Sequence, residues 1–426
     1  MKREIYDKLL LWKKQKKRKP LLLQGARQVG KTYTILQFAK EEYKNYVYLD
    51  FEKNEDLRQL FKSNINPDKI ITEISFFSGI KIQAEETLII FDEIQASEEA
   101  ITSLKYFNEE TPEYHIIAAG SLLGVAVGKN HSFPVGKVNF LEMYPMSFSE
   151  YLSASNEEML KERIVSVAEI KAIPEIIHQK LIYYLKQYLF VGGMPEVLQD
   201  YINNKDVKSV RRIQKEILKA YQKDFSKYSS KAQAIKTLEL WNSIPYQLSK
   251  ENKKFKYMDI KTQARASRYE QTIEWLKQAG LVNIAYNISS PKFPLSGYSD
   301  KSKFKIYILD TGLLGAMLDL PSELIINPTQ LFKEYNGAFI ENFVAMELKN
   351  IDIEELFYWT SRGEAEVDFI INYKNKIYPI EVKSGTSRTL KSLRSYQKKY
   401  KPEFIFRCSP RNYSKEKEFV NFPLYS

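Results

Sequence analysis

A glycine-rich segment followed by a lysine and a threonine is the first group of residues whose spacing predicts chemistry. The segment matches the pattern G-x-x-x-x-G-K-T from Gly25 to Thr32. In this pattern the glycines let backbone N–H groups close on phosphate oxygens, Lys31 adds positive charge, and the Thr32 hydroxyl is a ligand for Mg²⁺. The pattern therefore predicts a nucleotide-binding loop that consists of Gly25, Ala26, Arg27, Gln28, Val29, Gly30, Lys31, Thr32 and the next residue, Tyr33.

Two acidic residues, Asp92 and Glu93, end the apolar run that begins at Thr87. A continuous apolar run is typical of a buried parallel strand, and ligands of such sheets collect at the carboxyl ends of the strands. We therefore expect Asp92 to hold Mg²⁺ and Glu93 to orient the water that attacks the γ-phosphate of ATP. The alternative is a strand followed by an acidic helix cap.

A second apolar run, residues 114–120, is followed by Ser121. A small hydroxyl at the end of a buried strand can contact the γ-phosphate, which would add Ser121 to the catalytic residues Lys31, Asp92 and Glu93. The alternative, that Ser121 merely caps the next helix, stays open at this point.

A second constellation of charged residues lies near the end of the chain. Glu341 belongs to an amphipathic helical pattern, Asp368 ends the alternating segment 365–368, and Glu381 and Lys383 follow the apolar residues 377–380. Residues two apart on a strand share a face, so Glu381 and Lys383 point the same way. Such carboxylates with a lysine can bind Mg²⁺ or Mn²⁺, with Asp368 and Glu381 as ligands, and activate a water for phosphodiester attack. Ion pairing across a half-exposed sheet is the alternative.

A net charge of +11 favours a polyanionic partner such as DNA, although it can also serve solubility alone. Arg265, Arg268 and Lys277 lie near or on a predicted helix that follows another helix and a short helical stretch and precedes two predicted strands. This is the element order of a winged helix, whose third helix commonly meets DNA phosphates in the major groove. Winged helices also serve as packing modules, so both interpretations remain.

The order of predicted elements divides the 426 residues into four domains. Alternating strands and helices over 1–150 indicate a doubly wound α/β domain with a parallel sheet. Helical patterns dominate 151–230, the winged-helix order covers 231–325, and the second charged constellation lies in 326–426. The chain is thus expected to be of the α/β class.

Composition narrows the range of function classes. One cysteine, Cys408, and three scattered histidines disfavour a disulfide framework and a zinc site. No stretch reaches the apolar length of a membrane span, and the first residues lack the apolar core of a signal peptide. The expected location is the cytoplasm, with no membrane partner.

Taken together, these stretches resemble a family of bacterial and archaeal AAA-type P-loop ATPases with a C-terminal domain of unknown function. The resemblance rests on residues 25–32, 91–95, 118–124, 133–137, 192–195, 366–368 and 379–385. It implies a P-loop sheet of the AAA type with the Ser121 strand between the two Walker strands, followed by a helical lid, a winged helix and a restriction-endonuclease-like PD-(D/E)xK domain.

The resemblance also implies functional residues and partners. It supports Ser121 as a sensor and Gly193 with Pro195 as nucleotide-facing residues of the lid. The nuclease-like motif departs from its family pattern at Val367, where that pattern has proline. Two interpretations follow: an ATPase that binds ATP and ADP and controls a DNA-binding or DNA-cleaving C-terminal half, or a nucleotide-dependent switch that binds a protein partner or another copy of itself.

Overall fold

The computed structural model describes residues 1–121, 134, 136–165, 169–227, 230–250, 254–262, 264–321, 337–361, 365–385 and 389–426. The chain forms two compact units. The N-terminal unit comprises Lys2–Tyr144 and Gln278–Gly280, and the C-terminal unit comprises Met1, Pro145–Lys277 and Leu281–Ser426. Among the described residues, no helix is both long enough and apolar enough to cross a membrane.

The N-terminal unit is built on a five-stranded parallel sheet whose strand order is β2-β3-β4-β1-β5. The strand β4 thus lies between β1 and β3, which confirms the predicted strand order. Along the chain its elements are α1 (Ile5–Lys13), β1 (Leu21–Gly25), α2 (Lys31–Glu42), β2 (Asn45–Asp50), α3 (Glu55–Ser63), α4 (Pro67–Ser78), β3 (Thr87–Asp92), α5 (Glu98–Glu110), β4 (His115–Ser121) and β5 (Asn139–Glu142).

An aromatic core fixes one face of this sheet. Every residue of β3 is buried, as its continuous apolar run predicts. Phe91 on β3 packs edge to face against Phe51, Phe61 and Phe107, with ring centroids 5.4, 5.4 and 6.2 Å apart. These contacts hold the carboxyl end of β3 in place, where Asp92 and Glu93 lie.

The C-terminal unit begins with helices and ends in a mixed eight-stranded sheet. Its helices are α6 (Phe148–Ala154), α7 (Glu158–Val165), α8 (Glu175–Val191), α9 (Pro195–Asn204), α10 (Val207–Lys227), α11 (Lys231–Leu248), α12 (Ala266–Gln278), α13 (Thr311–Met317), α14 (Gly337–Asn350) and α15 (Lys391–Tyr400). Its strands are β6 (Val282–Ile288), β7 (Ser299–Ile308), β8 (Leu356–Thr360), β9 (Glu366–Tyr373), β10 (Lys376–Val382), β11 (Ile405–Ser409), β12 (Ser414–Glu416) and β13 (Phe419–Pro423).

The two strands predicted after α12 are present and form a hairpin, because β6 and β7 pair antiparallel from Val282 opposite Ile308. The hairpin does not stand apart, however. The sheet order β12-β13-β11-β10-β9-β8-β6-β7 joins it to the C-terminal strands through parallel pairing of β6 with β8. The sheet is therefore continuous across the predicted boundary at residue 325, and the division of this unit into lid, winged helix and nuclease-like domain stays a prediction.

Two local features can be compared with the sequence directly. A capping box begins α6, since the Ser147 side chain accepts from Glu150 N and the Glu150 carboxylate accepts from Ser147 N. The prediction that Asp368 ends its segment is wrong. Asp368 is the third residue of β9, because the apolar residues that follow it extend the strand to Tyr373.

Candidate functional site

The loop between β1 and α2 has the backbone that a phosphate-binding loop requires. Gly25, Gln28 and Gly30 all have positive φ, at 154°, 64° and 95°. A Cβ atom on Gly25 would lie 2.2 Å from the carbonyl oxygen of Met143, so only glycine fits there. The loop is thereby folded tightly between β1 and the first turn of α2, as the motif predicts.

The Lys31 ammonium group lies inside this loop. Its Nζ donates to the carbonyl oxygens of Gly25 at 3.0 Å and Ala26 at 2.8 Å. Burial lowers the pKa of Lys31 to about 8, against the opposing effect of the Glu93 and Asp92 carboxylates. The protonation of the Lys31 ammonium group inside the loop is therefore sensitive to the groups around it.

Asp92 accepts hydrogen bonds from three directions at the carboxyl end of β3. Its Oδ2 accepts from the Thr32 hydroxyl at 2.8 Å and from the Tyr48 hydroxyl at 2.7 Å, and its Oδ1 accepts from the N–H of Glu93 at 3.0 Å. The predicted pair of Thr32 and Asp92 is thus in direct contact. Tyr48 was not predicted from the sequence. It reaches Asp92 because β2, on which it lies, pairs in parallel with β3.

Glu93 lies just beyond β3 with a left-handed backbone, at φ 49°. Non-glycine residues adopt this conformation rarely, and it occurs most often where function or packing requires it. The Gln95 amide donates to Glu93 Oε2, and Gln95 belongs to the short 3₁₀ helix Ile94–Ala96. Gln95 therefore orients the carboxylate that the sequence assigns to water activation.

Arg3 supports the loop from its outer side. It is buried, and its guanidinium donates to the carbonyl oxygens of Val29 and Tyr144, both at 2.7 Å. No pattern in the sequence distinguishes Arg3 from the other basic residues near the start of the chain. Arg27, within the loop, lies 3.9 Å from the Glu52 carboxylate, and Tyr33 is exposed on α2.

Thr32 and Asp92 fit Mg²⁺ together with a bound triphosphate. Both present oxygen atoms, which are the ligands that Mg²⁺ prefers, and one carboxylate with one hydroxyl is the usual protein contribution to such a site. Ser121 ends β4 opposite Gly25 in the parallel pairing. Its side chain lies outside the part of the chain that the structure describes, so its role as a sensor stays a prediction.

The glycines before α9 have a packing role within the C-terminal unit. Gly193 N–H donates to Asp310 Oδ2 at 2.6 Å, and Gly193 C=O accepts from Met146 N at 2.7 Å. A Cβ atom on Gly193 would lie 2.1 Å from the Met146 carbonyl oxygen, and Gly192 has a φ of 78°. Pro195 is the first residue of α9. Both main-chain groups of Gly193 are thus engaged, and nucleotide contact by Gly193 and Pro195 stays a prediction.

Asp310 is the buried acceptor that organises this junction. Its Oδ1 accepts from the N–H of Leu313 at 2.8 Å and caps α13. Burial raises the pKa of Asp310 to about 6, although the backbone hydrogen bonds from Gly193, Leu313 and Gly312 oppose the rise.

The second charged constellation contains a lysine that the sequence analysis missed. Lys305 on β7 has a fully buried side chain, and its Nζ lies 3.3 Å from Glu341 Oε2, 2.6 Å from Glu366 Oε1 and 3.8 Å from Asp368 Oδ1. Burial would lower the pKa of Lys305, but these carboxylates raise it well above the usual value. In the sequence, Lys305 is the single charged residue within the apolar segment 304–308, and this position was the sequence signal for a buried lysine.

The predicted members of this constellation do meet. Glu381 Oε1 lies 2.6 Å from Lys383 Nζ, and Asp368 Oδ2 accepts from the N–H of Val382 at 2.7 Å. Glu341 Oε2 also accepts from the Tyr307 hydroxyl at 3.1 Å. Burial raises the pKa of Glu381, against the opposing effect of Lys383.

This arrangement does not fit a second divalent metal. Each carboxylate that would be a ligand has at least one oxygen engaged, by Lys305, Lys383, Tyr307 or a backbone N–H, while Glu381 Oε2 has no hydrogen-bond partner among the described residues. Among the described residues, no group of three or more His, Cys, Asp or Glu side chains is arranged to hold a metal ion. The contacts are those of an ion-pair cluster, the alternative left open by the sequence.

The three basic residues assigned to DNA contact are exposed. Arg268 and Lys277 lie on α12, and Arg265 just precedes it. A groove of about 630 Å³ between α12 and the hairpin is lined by Glu270 and Glu274 as well as by Lys301. The helix thus carries both signs of charge.

Three family models match separate parts of the chain. Residues 17–152 match an AAA domain (AAA_14), residues 182–324 match a domain of unknown function (DUF8612), and residues 336–425 match another domain of unknown function (DUF4143). Each of these matches covers less than half of the chain.

Two curated relatives are the uncharacterized proteins Rv2008c of Mycobacterium tuberculosis and Mb2031c of Mycobacterium bovis. Each is 31% identical over 109 residues, which are 25% of this chain and 24% of the relative. The match thus spans about a quarter of the length of either relative.

Similar solved structures include the Walker-type ATPase PABY2304 of Pyrococcus abyssi, with 16% identity, a TM-score of 0.46 and coverage of 74% of this chain and 95% of that chain. The ORC1 protein of Aeropyrum pernix in complex with DNA has 12% identity, a TM-score of 0.31 and coverage of 76% and 92%. These TM-scores are too low to establish a common overall fold. The family match, the sheet order and the loop geometry together identify residues 17–152 as an AAA-type P-loop domain.

Proposed function

We propose that the chain is a Mg²⁺-dependent ATPase whose nucleotide state controls a DNA-binding C-terminal half. The observation that carries the ATPase assignment is the contact between Thr32 and Asp92 at 2.8 Å, with Glu93 next in the chain and Lys31 inside the loop. This geometry supports the proposal because an ammonium group, a hydroxyl beside a carboxylate, and a second carboxylate lie at one edge of the sheet, as ATP hydrolysis with Mg²⁺ would require.

The loop and the first turn of α2 bind the phosphates. Backbone N–H groups of the loop donate to phosphate oxygens, and the positive end of the α2 dipole points at the same charge. Lys31 then exchanges its contacts with the Gly25 and Ala26 carbonyls for phosphate oxygens. When bound, Mg²⁺ neutralises part of the phosphate charge, with Thr32 and Asp92 as its protein ligands.

Hydrolysis depends on the residues just after β3. Glu93 accepts a hydrogen bond from the attacking water and aligns it, and Gln95 keeps the Glu93 carboxylate in position. Tyr48 donates to Asp92 and limits the orientations of that carboxylate. We assign Ser121 as the sensor of the γ-phosphate, and Gly193 with Pro195 as nucleotide-facing residues of the lid, on the basis of the sequence.

The proposed DNA contact rests on charge and exposure. The chain carries a net charge of +11, and Arg265, Arg268 and Lys277 are exposed on or beside α12. Arginine and lysine at such positions contact phosphates and contribute affinity that falls with salt. Glu270 and Glu274 on the groove side of α12 would repel DNA. Lys277 lies on that side too, since its Nζ is 6.0 Å from the ring centroid of the groove residue Tyr286, so the proposed contact rests first on Arg265 and Arg268.

The ion-pair cluster favours a second candidate function for the C-terminal unit. Lys305 lies among the carboxylates that a metal-dependent phosphodiesterase would need. This contact supports a nuclease-like domain that no longer cleaves DNA. The whole chain would then be a nucleotide-dependent switch that binds a protein partner. DNA cleavage with Mg²⁺ or Mn²⁺ at Glu341, Asp368, Glu381 and Lys383 remains the alternative.

Hydrolysis of ATP with Mg²⁺, measured with and without duplex DNA, tests the proposal. We expect hydrolysis that DNA stimulates and that Lys31→Ala abolishes together with nucleotide binding. Lys40→Ala is the matched control, because Lys40 is an exposed lysine on the same helix. Tightly bound nucleotide without DNA-stimulated turnover would favour the partner-binding switch, and nucleotide binding that survives Lys31→Ala would contradict the site itself.

A further inference from the structure

A buried lysine occupies the centre of the carboxylate cluster in the C-terminal unit. We infer that the Lys305 ammonium group is a built-in cation that takes the place of a divalent metal, and that removing it creates a Mn²⁺ site among Glu341, Glu366 and Asp368, the carboxylates that surround the ammonium. The inference concerns the C-terminal unit alone and is independent of the ATPase assignment.

The contacts of Lys305 are those of a bound cation. Its Nζ lies within 4 Å of carboxylate oxygens from α14 and β9, at 3.3 Å from Glu341 and 2.6 and 3.8 Å from Glu366 and Asp368. The ring of Tyr358 lies on another side, with its centroid 5.1 Å from Nζ. The Lys305 side chain has no exposed surface, so these groups replace water around the ammonium.

Carboxyl groups outnumber ammonium groups in the cluster. Four carboxyl groups, those of Glu341, Glu366, Asp368 and Glu381, share only two ammonium groups, those of Lys305 and Lys383. Glu381 Oε2 is buried and has no hydrogen-bond partner in the structure. A carboxylate oxygen in that position is available to a cation, so the cluster retains a ligand that the ion pairs do not use.

Loss of the ammonium group leaves buried carboxylates close together. Such a group of like charges is unfavourable, and a divalent ion removes the conflict by binding to the same oxygens. Lys305→Ala removes the charge and also opens space for the ion. In the wild type Lys305 occupies the position among these oxygens, which leaves Mn²⁺ without a complete set of ligands.

Mn²⁺ binding by the full chain without nucleotide tests the inference. Electron paramagnetic resonance measures the bound Mn²⁺. Thermal unfolding with and without Mn²⁺ measures the stability that the ion adds. Lys305→Ala is expected to bind one Mn²⁺ more than the wild type, with an affinity at least about tenfold higher than that of any Mn²⁺ site in the wild type. The variant is also expected to gain thermal stability with the ion. Asp368→Asn in the Lys305→Ala background is expected to remove both gains.

Lys376→Ala is the matched control. Lys376 pairs with Glu403 at 2.6 Å, and both side chains are about half exposed, so its removal leaves no buried carboxylate and should create no Mn²⁺ site. If Lys305→Ala folds only when Mn²⁺ is present, the inference is supported in its strongest form. The inference is wrong if the wild type already binds Mn²⁺ in a way that Asp368→Asn abolishes, or if Lys305→Ala gains no Mn²⁺ site, whether folded or not.

Discussion

Nucleotide binding should weaken as the Lys31 ammonium group loses its proton. Burial lowers the pKa of Lys31 to about 8, because its ammonium group lies away from water with the loop carbonyls as its hydrogen-bond acceptors. Bound phosphates favour the charged form, so binding at a pH above this pKa requires Lys31 to take up a proton.

The size of the effect follows from the pKa. With a pKa of about 8, roughly nine tenths of Lys31 is protonated at about pH 7 and roughly one tenth at about pH 9. Nucleotide affinity should therefore fall about tenfold between these conditions, which corresponds to about 1.4 kcal/mol.

Calorimetric titration in two buffers with different ionisation enthalpies measures both quantities, the affinity and the proton uptake. Lys31→Arg is the matched control, since a guanidinium stays charged throughout this range. Any titration of the nucleotide itself affects the wild type and the variant equally. Wild-type affinity that changes with pH no more than that of Lys31→Arg, without proton uptake, would refute the assignment of Lys31 as a buried phosphate ligand.

Two further predictions concern the C-terminal unit. Asp310→Ala should lower the free energy of unfolding by about 2–4 kcal/mol in chemical denaturation, because α13 loses its cap and the buried N–H of Gly193 loses its acceptor. Since the pKa of Asp310 is raised to about 6, the folded wild type holds its proton more tightly, and its stability should fall relative to the variant as pH rises from about 4 to about 6. Asp206→Ala, at an exposed acceptor before α10, should cost about 1 kcal/mol or less. For duplex DNA, the slope of log affinity against log salt should be roughly −5 for about six phosphate contacts. Charge reversal at Arg265 and Arg268 should flatten it by about 2, and binding that does not depend on salt would contradict a phosphate interface.

The N-terminal site was predictable because its signals are local. Continuous apolar runs indicated β3 and β4, and the glycine pattern placed Lys31 and Thr32 in a phosphate-binding loop. Tyr48 and Arg3 were not predicted, because each acts through contacts that depend on the parallel pairing or on a loop far along the chain.

The C-terminal cluster shows the opposite case. Glu381 and Lys383 were correctly placed on one face by the period of a strand. Lys305 was not predicted as a member, since it comes from β7 and joins the cluster only because the hairpin belongs to the same sheet. No sequence period links residue 305 to residues 341 and 368, so this contact required the tertiary structure.

The most direct test of the account is ATP hydrolysis by Glu93→Gln, measured beside its nucleotide affinity. Glutamine keeps the size of the side chain but cannot align water as a carboxylate does, so we expect hydrolysis to fall by roughly 10²–10⁴ while affinity changes by less than about twofold. Glu55→Gln, an exposed substitution on α3, should leave both unchanged. Hydrolysis by Glu93→Gln at the wild-type rate would contradict the assignment of water activation to the end of β3.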